Sequence, residues 1–64
     1  MKLCVNDEVI EFDGRTLSEL VVHINPETPF AVAVNTAFVA RKEYGGYVLQ
    51  EQDKVDIVSP VVGG

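Results

Sequence analysis

The sequence has no tryptophan, one histidine, one cysteine, and five basic residues against ten acidic ones. Each shortage excludes something. With Cys4 alone no internal disulfide can form, and a small chain without disulfides is expected in a reducing, cytoplasmic setting. His23 has no second His or Cys at ligand spacing, so no metal site is expected. The net charge of −5 provides no basic stripe to neutralise phosphates, so nucleic acid is not an expected partner. The charge suits docking on a basic protein surface. The longest apolar run, Phe30 to Val34, falls far short of a membrane span. The N-terminus lacks the basic, apolar and small-residue order of a signal peptide. There is no glycine-rich phosphate loop, nucleophile elbow or pair of carboxylates set for catalysis. No catalytic residue and no bound cofactor are therefore expected.

What is present is a single small domain. The 64 residues are 47% apolar, as in a folded chain. A chain of this size buries only about 60% of its unfolded surface, which leaves little volume for an enclosed active site.

The pattern along the chain is mixed. "MKLCVN" alternates, with Met1, Leu3 and Val5 to one side and Lys2 and Cys4 to the other, which predicts a half-buried strand. Asn6 and Asp7 suit a tight turn. "EVIEF" alternates again, with Ile10 and Phe12 opposite Val9 and Glu11, and the two runs together predict a hairpin. Thr16 and Glu19 match the S/T-x-x-E capping box. Leu17, Leu20, Val21 and Ile24 then follow at helical spacing, and Pro26 and Pro29 stop the helix. "FAVAV" reads as a strand and "FVA" as a brief extended piece after a turn at 35–37. "RKEYGGYVLQ" reads as a short helical turn and loop containing two turn glycines. "KVDIVSP" predicts a last strand, with Val55 and Ile57 opposite Asp56 and Val58, ending at Pro60. The first and last strands are expected to lie side by side and parallel, with the helix across one face. The expected fold class is α+β, a mixed sheet of four or five strands with one main helix packed on it. The domain is expected over 1–60, with a flexible tail over 61–64.

That tail reads Val61-Val62-Gly63-Gly64. Fully extended, Pro60 to Gly64 reach at most roughly 17 Å, enough to enter a neighbouring protein's cleft while the body stays outside. Two glycines make the tail thin and leave the last carbonyl unhindered. A carboxylate is a poor electrophile, so reaction there needs an enzyme that turns one oxygen into a leaving group. The chain is then a carried substrate and not a catalyst.

The Gly63-Gly64 end, "DKVDIVSPVVGG", "VAVN" and "VARKEY" resemble the sulfur carrier protein of thiamine biosynthesis, a family with a ubiquitin-like β-grasp fold. The resemblance extends over essentially the whole chain. It implies that an E1-like adenylating enzyme, using ATP, activates Gly64. A sulfur donor such as a cysteine desulfurase then leads to a thiocarboxylate, which delivers sulfur to thiazole synthase. Two places depart from the family pattern. Ala40 stands where proline is frequent, and Gln52-Asp53 where glycine is frequent.

A carrier for another sulfur pathway, such as the small subunit of molybdopterin synthase, shares this tail. A ubiquitin-like interaction module without terminal chemistry is the alternative of a different class, and extending or deleting Gly64 separates it from a carrier. Cys4 and Val58 are expected on one exposed sheet face, a candidate docking surface together with Arg41. Cys4 is read as a passive thiol, His23 as a solvated helix-end residue, and Glu51 and Asp53 as parts of a solvated turn.

Overall fold

The computed structural model describes residues 1–59. The expected tail at 61–64 and the stop at Pro60 lie outside the described residues. The strands are β1 Lys2–Val5, β2 Glu8–Glu11, β3 Ala31–Val34, β4 Ala37–Val39 and β5 Lys54–Val58. They form one mixed sheet in the order β2-β1-β5-β3-β4. β5 runs parallel to β1 and antiparallel to β3, so the first and last strands do meet in the middle.

Each hairpin closes through two residues. Val5 pairs with Glu8 around Asn6-Asp7, and Val34 with Ala37 around Asn35-Thr36. All four turn residues have positive φ: 50° and 67° in the first turn, 50° and 74° in the second. Two such residues make the turn whose twist matches the strands, and asparagine tolerates that conformation best after glycine. Thr36 is β-branched and carries the strain of the second turn. Gln52 also sits at φ 68°, where the family pattern favours glycine. Ala40, at φ −70° and ψ 145°, has a backbone that proline would fit. Both departures therefore keep the turn geometry. Gly45 and Gly46, expected as turn glycines, lie instead within a 3₁₀ helix, Arg41–Gly46, and neither has positive φ.

The helix α1, Leu17–Ile24, has the expected capping box. Glu19 N–H donates to Thr16 Oγ1 at 3.2 Å, and Thr16 N–H donates to Glu19 Oε1 at 3.0 Å. Arg15 N–H donates to the same carboxylate oxygen at 3.0 Å. These donors hold the Glu19 carboxyl below its usual pKa. At the other end Asn25 turns left-handed, its N–H donating to Val21 O at 2.7 Å, and Pro26 follows.

Leu17 and Leu20 meet Leu3, Val5, Val32, Val34 and Val55 beneath the helix. Burying each large aliphatic side chain contributes about 1.5–3 kcal/mol. Tyr44 from the 3₁₀ helix and Leu49 from the following segment complete this core. Leu17 N–H donates to Tyr47 O and Leu49 N–H to Arg15 O, so that segment is laced to the start of α1. Phe12 closes the β2 end of the core. Its ring lies against Gly14, where a Cβ would overlap it, so glycine there permits the close approach.

Candidate functional site

Strand alternation sends one set of side chains under α1 and the other to the opposite face of the sheet. Among the described residues no helix covers that second face. β5 forms its centre. Asp56 lies opposite Ala33, and Ala33 opposite Phe38, while Val58 lies opposite Ala31. Cys4 lies opposite Val9 on one side and Lys54 on the other. Phe38 is 73% exposed, Val9 68% and Val58 50%. Phe38 and Val58 lie toward one end of this face and Val9 on its far edge, with Lys54 and Asp56 of β5 between; exposed apolar side chains of this kind suit protein contact.

Cys4 and Val58 share this face, as alternation predicted, but they are not neighbours. Cys4 is level with Lys54, four residues before Val58, a separation of about 13 Å along the strand. Cys4 is half-buried and borders a groove of about 340 Å³ with Lys2, Leu3, Val9 and Gln52. Arg41 is exposed and opens the 3₁₀ helix just after β4. The pairing of β4 with β3 and of β3 with β5 places Ala40 and Arg41 at the Val58 end of the sheet. Alternation gives Val9 its outward side, though it is not among the docking candidates, and Phe38 is the member of this face that sequence reasoning missed altogether. Its signal was the alternation of Phe38 against Ala37 and Val39, within a strand of three residues.

The remaining candidates play structural parts. Asp53 does more than solvate a turn. Its carboxylate accepts from Gln50 N–H at 2.9 Å and from the Asn35 amide at 3.0 Å. Glu51 accepts from Lys2 N–H at 2.8 Å. His23 is exposed in the last turn of α1, 5.8 Å from the Phe12 ring centroid. No group of three or more His, Cys, Asp and Glu residues among the described residues could hold a metal ion. Among those residues, too, no helix is long and apolar enough to cross a membrane.

The ThiS family model matches residues 3–64, nearly the full chain and through to Gly64. The chain belongs to the ThiS family. The sulfur carrier of thiamine biosynthesis implied by the sequence resemblance is thus supported at the level of the family, as is a working association with enzymes of that pathway. No curated protein sequence matches the chain significantly. Among solved structures, a crystal structure of the thiamine biosynthesis protein ThiS from Geobacter metallireducens is similar, with a TM-score of 0.85 and 22% identity over 100% of both chains. A solution structure of a thiamine biosynthesis protein from the same organism gives a TM-score of 0.78 and 22% identity, covering 100% of this chain and 88% of that one. At this identity the likeness carries the fold, and the ThiS-type β-grasp is the fold expected. Val61, Val62, Gly63 and Gly64 fall within the family match but outside the described residues.

Proposed function

We propose that this ThiS-family chain carries sulfur on the carboxyl group of Gly64 for thiazole formation. An adenylating partner uses ATP to convert the carboxylate into an acyl-adenylate, releasing pyrophosphate. A sulfur nucleophile supplied by a donor such as a cysteine desulfurase displaces AMP. The resulting thiocarboxylate gives its sulfur to thiazole synthase in the cytoplasm. The chain itself binds no cofactor and acts as a substrate for its partners. Val61, Val62 and Gly63 thread the narrow approach to each partner's active site. The open sheet face, with Val58, Cys4 and Phe38, docks those partners, and Arg41 adds a charge at the Val58 end of the sheet.

The observation that carries this reading is the family match through Gly64, on a fold whose central strand ends at Val58, six residues before Gly64. The test is the intact mass of the protein after incubation with the adenylating enzyme, ATP and a sulfur donor. A species heavier by the difference between sulfur and oxygen, located in the C-terminal peptide, is expected. An unmodified mass under those conditions would exclude a carrier role and leave a binding module.

A further inference from the structure

We propose that Asn6 is a positioning residue for the reactive tail, acting as a side-chain rung that fixes the strand from which the tail departs. This inference rests on the carrier reading above. Its basis is the hydrogen bonding of β5. Asn35 N–H donates to Lys54 O at 2.7 Å, which sets the phase of the antiparallel β3–β5 ladder. In such a ladder alternate residues face the partner strand, so Asp56 and Val58 bond to β3 while Val55 and Ile57 face β1. On the β1 side the rungs run regularly as far as the chain allows. Cys4 N–H donates to Asp53 O at 3.0 Å, and Asn6 N–H to Val55 O at 2.9 Å.

The next rung belongs to Ile57, but β1 has already turned away at Asn6-Asp7. The Asn6 side chain takes over. Its Oδ1 accepts from Ile57 N–H at 2.8 Å, and its Nδ2 donates to Ile57 O at 3.3 Å. Both main-chain polar groups of Ile57 are thereby paired on a side where no strand remains.

Asparagine suits this position for two separate reasons. It accepts the left-handed backbone at φ 50°, and its amide offers a donor and an acceptor side by side. Aspartate keeps only the acceptor, and glycine keeps only the backbone. The consequence lies at the tail's root. Ile57 precedes Gly64 by seven positions in the sequence, so a root free to fray would spread the positions available to the reacting carboxylate. A fixed root shortens that search and keeps Val58 in register on the docking face.

The experiment compares wild type, Asn6→Gly and Asn6→Asp. Amide hydrogen exchange is read at Ile57, Val55 and Val34, and steady-state adenylation is measured with the adenylating enzyme and ATP. In Asn6→Gly, exchange at Ile57 is expected to accelerate on the order of tenfold, with Val34 unchanged. Asn6→Asp is expected to keep much of the protection, because its carboxylate still accepts from Ile57 N–H. Adenylation of Asn6→Gly should show a kcat several-fold below wild type, with Asn6→Asp between the two. Unchanged exchange at Ile57, or equal acceleration at all three amides, would overturn the rung. Wild-type kcat in Asn6→Gly with a frayed Ile57 would overturn the positioning role while leaving the carrier reading intact. A wild-type protein that is not adenylated would defeat the carrier reading and the positioning role with it, whereas the exchange data would still report on the rung.

Discussion

The two faces of the sheet are built from the same five strands and the same kinds of side chain. Under α1, Leu3, Val32 and Val55 are sealed and surrounded. On the other side Val9, Phe38 and Val58 stand in the open. A domain this small has few apolar residues to spare, and leaving three large ones uncovered lowers its margin of stability. The comparison teaches that burial, and with it stability, is concentrated on one face, and that recognition by partners, as proposed above, would fall to the other. The covered face holds the fold together, and substitutions on the open face are expected to cost little stability.

The largest test of that division is Leu20→Ala. Truncating a fully buried leucine between α1 and the sheet is expected to cost about 2–5 kcal/mol, a large part of the stability of such a domain, and urea denaturation reads it directly. Phe38→Ala should do the reverse. Its unfolding free energy is expected to stay within about 0.5 kcal/mol of wild type, while affinity for the adenylating enzyme falls about tenfold, as for an aromatic anchor. A Phe38 variant that binds normally would break the division.

Thr36→Gly sharpens it further. Removing the β-branched side chain from φ 74° is expected to raise stability by about 0.5–1 kcal/mol, with partner affinity unchanged. The smallest effect belongs to Glu19. Its native pKa is lowered by the N–H groups of Arg15 and Thr16, so its contribution is complete above the unfolded-state value. That contribution is lost as pH falls through the lowered native value. The stability advantage of wild type over Glu19→Gln is therefore expected to shrink on acidification, and thermal melts across that range would check it.

Much of the fold was legible because its period was clean. The alternation of β1, β2 and β5, the Thr16-Glu19 box and the i, i+3, i+4, i+7 stripe each state a local structure and a buried side. The parallel centre followed from the need to lay one short helix across one sheet. The segment around the 3₁₀ helix was harder. Tyr44 and Leu49 are core residues, but neither belongs to a run with helix or strand period. Their burial is set by the lacing of Tyr47 and Leu49 to the start of α1, a contact distant in sequence. Gly45 and Gly46 misled for a physical reason. Among the described residues the left-handed positions went to Asn6, Asp7, Asn25, Asn35, Thr36 and Gln52.

Of the open face, Cys4 and Val58 were readable from alternation, since each faces away from buried neighbours. Phe38 was not, because three residues of β4 give too little pattern to choose a side. The tail was read from its chemistry alone; the family match spans its residues, which lie outside the described ones.

The placement of β5 has a consequence for how the chain is made. The central strand is also the last of the described strands to leave the ribosome. Until it emerges, β1 and β3 have no common neighbour, and the sheet exists as two separate hairpins, too small to hold themselves together in water. Nascent chains cut short before Lys54 therefore cannot close the domain and remain open to proteolysis. The order of synthesis makes reaching β5 a condition of survival, so the pool of folded molecules is enriched in those already extended through Val58.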